Sequence, residues 1–350
     1  IPGRARSGRS ISTQMSVKRA RTALDEVDEK GNFARTAGAW HSQPIETGGF
    51  FEPEAGRYHL YVALGCPWAA GALTALYYKG LQDAISVSIV HPTWRRTRPD
   101  DPNDEHFGWW FRAPGDEPVS NELGYGENEC DDALIPDFVN HRKTLREVYE
   151  LANDTGGKYS TPVLWCKKEN TIVSNESLDI LKLLDNAFNN LAKNPATLFP
   201  KANAAALEEL NSWIYPMLNN GVYRAGFATK QSAYDKAVAE VFEALDRVEN
   251  ILAESKGKFL TGDDFTWLDL RLYHTLVRFD PVYVTYFKTN LKRVEDCPAT
   301  LAYVRSCYAI PAVKQATNLK HIKMHYFTSH CLKGLNNNGI IPAWNGPDLE

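Results

Sequence analysis

No stretch of this 350-residue chain holds the roughly 20 consecutive apolar residues that a bilayer-spanning helix requires, which excludes an integral helical membrane protein. Neither charge is in excess. Lys and Arg number 39 against 43 Asp and Glu, a net charge of −4, whereas a nucleic-acid surface needs surplus cations to displace counterions. The six cysteines (Cys66, Cys130, Cys166, Cys297, Cys307, Cys331) are scattered, with no CxxC pair and no apolar signal-peptide core ahead of them. Free thiols in a reducing, cytoplasmic setting are therefore expected rather than a disulfide framework. Gly-rich phosphate loops, an HExxH metal motif, a GxSxG elbow and internal repeats are all missing. What remains is an ordinary globular balance, 43% hydrophobic and 23% charged, with length enough for about two domains.

Residues 1–22 are basic, Ser-rich and free of acid. They read as a disordered arm, or as an expression scar ahead of a start at Met15, in preference to an organelle transit segment, because they offer little apolar face. Residues 23–56 read as an extended lead-in. YHLYVAL (58–64) is aromatic and β-branched, a strand. GCPWAAGALTALYYKGL (65–81) follows as a helix with Pro67 at its first position and Gly80 as its stop. ISVSIV (85–90) is a second strand, completing a βαβ unit. Residues 91–132 form a long insertion rich in Pro, Asp and Gly, with Trp94, Trp109 and Trp110 indicating that part of it packs. A helix is predicted from about Leu134 to Asn153, ended by Gly156 and Gly157. A hairpin spans TPVLWC (161–166) and TIVSN (171–175), and a helix runs from Glu176. That order is the thioredoxin order. Beyond Pro200 the spacing is helical, with a kink expected at Pro216 and a capping box at TWLD (266–269). Four segments follow: an arm at 1–50, a thioredoxin-like unit at 51–195, an all-helical unit at 196–330 and an irregular tail at 331–350.

Cys66 carries the sharpest chemistry. A cysteine where a strand hands over to a helix faces the unpaired N–H groups of the first turn, which stabilise the nucleophilic thiolate. The motif is CPWA, with Ala69 where a dithiol oxidoreductase has its second Cys. A mixed disulfide on Cys66 therefore needs an external thiol, and glutathione is the abundant one. In YSTPV (159–163), a cis bond at Pro162 would turn the backbone of Thr161 toward a peptide-like ligand. In SNES (174–177), Ser174 or Asn175 can cap the helix. The first-turn N–H groups with Ser177 suit a carboxylate, and Glu176 suits an ammonium; a γ-glutamyl group carries both. The phenols of Tyr223, Tyr283 and Tyr326 can donate to a thiolate or deliver a proton. His321 and His325 are four apart, but no ligand pattern surrounds them, and no metal is expected.

These residues, with LYVALGCPWA, NNGVYRAGFAT, FTWLDLRLYHTLVRFDPVYV and HIKMHYFTSH, make residues 33–345 resemble the glutathionyl-hydroquinone reductases, the Xi class of glutathione transferases. The resemblance implies a glutathione transferase fold, an α/β thioredoxin-like N-terminal domain plus an all-α C-terminal domain, usually in a homodimer. It implies glutathione as co-substrate, Cys66 as nucleophile and Tyr223 as proton donor, with Tyr283 and Tyr326 near the sulfur. The implied glutathione site is Trp109 (or Trp110, as the insertion is long), Lys158, Tyr159, Ser160, Thr161, Pro162, Glu176 and Ser177. Lys158 stands where the family pattern has Arg, and Phe327 where a second Tyr is common. The rival readings are an Omega-like thioltransferase or dehydroascorbate reductase and a non-catalytic ligand-binding protein on the same fold.

Overall fold

A computed structural model describes residues 23–41, 43–255, 257–329, 336 and 338–350; the expectations for the arm at 1–22 and for Cys331 lie outside them. The sheet follows the strand signals closely. Strands β1 (Tyr58–Val62) and β2 (Ile85–Ile89) pair in parallel through helix α1 (Pro67–Tyr78). Two short strands in the insertion, β3 (Arg95–Arg96) and β4 (Phe107–Gly108), form a separate ribbon. Helix α2 (Leu145–Leu151) precedes the antiparallel hairpin β5 (Val163–Cys166) and β6 (Thr171–Ser174), and α3 (Ser177–Asn186) closes the unit. The sheet order is β2-β1-β5-β6. Every residue of β1 is buried, as expected of a central strand covered on both faces.

One helix is much shorter than its apolar spacing predicts. The segment from Leu134 to Lys143 is not helical, and α2 begins only after Thr144, which caps it in a full capping box with Glu147. The reason is local. Asp137 accepts the backbone N–H groups of Val139, Asn140 and Arg142 at 3.0–3.1 Å, tying the chain into a turn that competes with helix. The stop also differs, since Asn153 takes the left-handed conformation (φ 59°) three residues before Gly156.

The remaining helices are α4 (Ala204–Ile214), α5 (Gly221–Gly226), α6 (Gln231–Glu254), α7 (Trp267–Arg278), α8 (Val284–Tyr286), α9 (Pro298–Tyr308), α10 (Pro311–Ala316) and α11 (Leu319–Thr328). Pro216 acts as its missing N–H dictates: α4 stops at Ile214 and a widened π turn, Tyr215–Asn219, carries the chain onward. Pro281 does the same in Phe279–Tyr283. Thr266 and Asp269 form the predicted capping box of α7. Helix α1 packs against α3 on its own sheet and against α7 and α10 of the helical part. Its run of small residues, Ala69 to Ala72, is buried all round and admits these neighbours closely. No helix among the described residues is long and apolar enough to cross a membrane.

Several histidines are buried neutral. His59 lies between the hydroxyls of Ser86 and Ser88 (2.7 and 2.9 Å), and burial pushes it down to about 3. His91, His106 and His325 are pushed down to about 4, in each case chiefly by burial. Unfolded, these rings protonate near their ordinary value of 6.5. Between about pH 4 and 6.5 the unfolded chain therefore binds more protons than the folded one, and stability is lost as pH falls through that window. Asp280, raised by burial to about 6, opposes the trend because its folded form holds a proton longer. His274, pushed well down by burial, joins the four, and Asp269, raised by burial, joins Asp280, so five histidines outweigh two carboxyls. The urea midpoint should fall steadily from pH 7 to pH 5 as the unfolding free energy drops by on the order of 1 kcal/mol per histidine; a flat profile would refute the assignment.

Candidate active site

Cys66 is the N-cap residue of α1, and Pro67 takes the first helical position. The sulfur is half-buried and 3.7 Å from the carbonyl oxygen of Thr161. Thr161 is joined to Pro162 by a cis bond at the entry to β5. The loop ahead of the sulfur is fixed from the helical side. Arg278 on α7 is fully buried, and its guanidinium donates to the carbonyls of Leu64 (2.8 Å), Gly65 (3.2 Å) and His274 (2.7 Å). Gly65 is required by close approach, because a Cβ there would meet the Cβ of His325 at 2.5 Å.

The sulfur opens on a cavity of about 600 Å³. Of the residues expected from the sequence, Trp109, Lys158 to Pro162, Glu176, Ser177, Tyr223 and Tyr326 line this cavity together with Cys66. Trp109 is on the wall and Trp110 is not. The Trp109 ring is 4.6 Å from that of His325, whose Nδ1 faces the Pro92 carbonyl at 3.0 Å. The Lys158 ammonium reaches the lead-in segment, pairing with Glu26 and donating to the Thr36 carbonyl, both at 2.7 Å. Around α3 the cap differs from expectation. Glu176 itself occupies the N-cap position, without a side-chain cap bond to the helix. Ser174 Oγ accepts the Glu176 N–H at 3.1 Å, while Asn175 turns away to accept the Trp40 N–H and donate to Tyr149 Oη.

Three tyrosines from distant helical segments converge. Tyr326 Oη on α11 is 2.6 Å from Tyr223 Oη on α5 and 3.2 Å from Tyr283 Oη. Tyr283 is fully buried and stands behind the wall as the third member of the chain of hydroxyls. Burial holds all three phenols above their ordinary value, and the neighbouring Cys66 adds to this at Tyr223 and Tyr283. They are therefore hydrogen-bond donors at neutral pH. The histidines considered for a metal have other partners: His321 bonds Asp131 at 2.9 Å, and His325 lies on the cavity wall.

Sequence reading missed part of the wall. Trp68 sits inside the CPWA motif and could have been singled out. Arg35 comes from the lead-in, where no periodicity marks it, and Arg271 sits in the first turns of α7. The lead-in is built into the molecule: Asn175 N donates to the Trp40 carbonyl at 3.0 Å, and Thr229 N to that of Gly31 at 3.1 Å.

Residues 65–187 match the family described as glutathione S-transferase, N-terminal domain, and residues 231–306 that described as glutathione S-transferase, C-terminal domain. The chain is 40% identical over 338 residues to glutathionyl-hydroquinone reductase YqjG of Escherichia coli (strain K12), covering 94% of each. It is similar to the crystal structure of the glutathione-S-transferase Xi from Phanerochaete chrysosporium, at 38% identity and TM-score 0.78, over 92% of this chain and 94% of that one. It is also similar to the glutathione-bound structure of YqjG, at 40% identity and TM-score 0.73, over 86% and 88%.

Proposed function

The chain belongs to the glutathionyl-hydroquinone reductases, the Xi class of glutathione transferases, and on that premise we propose that it reduces glutathionyl-hydroquinones with glutathione through a mixed disulfide on Cys66. The observation that carries this reading is the meeting of Cys66 with the phenols of Tyr223 and Tyr326 on one aromatic-walled cavity. Glutathione would lie with its γ-glutamyl carboxylate at the first turn of α3 and Ser177, and its ammonium toward Glu176. Its cysteinyl part would follow the backbone of Thr161. The glycyl end would lie toward Trp109 and the Lys158–Ser160 stretch.

The thiolate of Cys66 attacks the sulfur of the aryl thioether. An S–S bond forms, the carbon–sulfur bond breaks, and its electron pair goes to the ring carbon. That carbon takes a proton from Tyr223, whose raised affinity for its proton keeps the donor loaded. A second glutathione thiolate then attacks the mixed disulfide. The products are the hydroquinone and glutathione disulfide, and Cys66 is free again. Tyr326 and Tyr283 relay hydrogen bonds to Tyr223 and do not need to ionise. The reading carries a cytoplasmic, glutathione-rich setting and a homodimer; a monomer by light scattering would remove the second.

Turnover of glutathionyl-menadiol and of a small glutathione mixed disulfide should be compared on the same preparation. The quinol conjugate is expected to lead in kcat/KM by at least about tenfold, because only it uses the aromatic wall and the tyrosine proton. The reverse order would favour an Omega-like thioltransferase.

A further inference from the structure

Among the described residues the three most deeply buried arginines are neutralised or spent on the backbone. Arg57 meets Glu52, Glu54 and Glu169, Arg146 meets Asp104 and Glu150, and Arg278 is spent on carbonyls. Two arginines on the cavity wall differ. Arg35 has one side-chain bond, Nε to Asn220 Oδ1 at 2.8 Å, and its Nη2 is buried with no partner. Arg271 has one, Nη1 to Asn211 Oδ1 at 3.3 Å, and its Nε is buried with no partner. Among the described residues neither guanidinium is within ion-pair distance of a carboxylate. Both lie over aromatic rings of the same wall. Arg35 is 4.7 Å from the ring centre of Tyr223, Arg271 is 4.6 Å from that of Tyr215, and each is 5.5 Å from Trp68. Burial draws Arg271 below the ordinary arginine value, against the attraction of Glu176 and Glu208 nearby. Both residues are half-buried, and a guanidinium held over aromatic rings with hydrogen bonds unmade gains from an anion that completes it.

We infer that Arg35 and Arg271 form an anion subsite on the aromatic side of the cavity, which takes a carboxylate carried by the quinol ring of the conjugate or by the second, incoming glutathione. The inference rests on the reduction reading for its substrate class. Its chemistry requires only planar, bidentate recognition of a carboxylate in a site already walled by rings that accept the quinol. It gives the protein a preference among quinol conjugates that the cysteine and tyrosines alone do not supply.

Binding, rather than turnover, tests it. In Cys66→Ser protein, tryptophan fluorescence would follow titration with glutathionyl-2,5-dihydroxybenzoate and with its neutral carboxamide. The carboxylate is expected to bind about tenfold tighter, and Arg35→Gln or Arg271→Gln to remove that preference, as loss of a charged hydrogen bond implies. Lysine at either position should restore part of it. If a glutamine variant does not fold, the preference in unsubstituted Cys66→Ser protein should still shrink as salt rises. For the second source, S-methylglutathione is titrated onto protein whose Cys66 already carries glutathione. There the glutamine variants should weaken binding about tenfold while the two quinol conjugates bind alike. Equal binding of carboxylate and carboxamide, together with unchanged S-methylglutathione affinity in the variants, overturns the subsite. A protein that binds the carboxylate selectively but does not turn over glutathionyl-menadiol would retain the subsite and lose the reduction reading.

Discussion

Cys66→Ala is expected to lower kcat/KM for glutathionyl-menadiol about a thousandfold or more, since the covalent route has no substitute nucleophile. Among the described residues Cys66 is the cysteine on the cavity, and the other four are buried. Cys166 is held against Arg57 at 3.5 Å on the far end of β5. Burial pushes Cys297 up to about 11 and Cys307 well above the usual thiol value, so neither supplies a thiolate at neutral pH. Serine should not rescue, because its oxygen cannot form the mixed disulfide. Intact mass after exposure to glutathione disulfide provides a second readout: the parent protein should gain one glutathione, and the alanine variant none. Activity within tenfold of the parent would eliminate the mechanism.

Arg278→Met should produce the largest loss outside the cavity. The arginine is entirely buried, and its donors satisfy the carbonyls of Leu64 and Gly65, the two residues just before Cys66. It also donates to the carbonyl of His274 and lies 3.3 Å from Nδ1 of that ring, whose Nε2 bonds Thr74 on α1 at 2.9 Å. Methionine fills the space and makes none of these bonds. Unpaired buried acceptors cost about 1–3 kcal/mol each, partly offset by relief of the cation's own desolvation, for a net loss of about 3 kcal/mol. The urea midpoint should fall accordingly. Below the transition, alkylation of Cys66 should slow and kcat/KM should drop by about a hundredfold, because the sulfur is no longer held in place. A parental midpoint with parental alkylation would show that Arg278 does not hold this loop. Arg278→Lys should recover little, lacking the fork that spans two carbonyls.

The fold was legible where local pattern decides local structure. The YHLYV strand, Pro67 at a helix start and the Thr266–Asp269 box each carry their own instruction within a few residues. The segment from Leu134 to Lys143 misled because its apolar residues are spaced as in a helix while Asp137 captures the backbone. The site divides in the same way. Cys66 is readable from the strand–helix junction alone. The contact between Tyr223 and Tyr326 joins residues 103 apart in sequence, so no periodicity reports it, and only the family resemblance pointed there. Arg35 had neither signal. Its place depends on how a segment without regular structure lies across two packed halves.

That segment changes what counts as the enzyme's working part. The Cys66 sulfur and the three tyrosines belong to the sheet and the helices, yet one side of the chamber at which they meet is furnished by chain that precedes the first strand. Glu26 anchors Lys158, Gly31 accepts from Thr229, and Trp40 is tied to Asn175, so this stretch acts as a strap buckled at both halves. Trimming this chain to its sheet-and-helix body would keep Cys66 and remove Arg35 from the cavity wall. On the proposed reading, this chain's choice among quinols is to be sought in the irregular leader as much as around the cysteine.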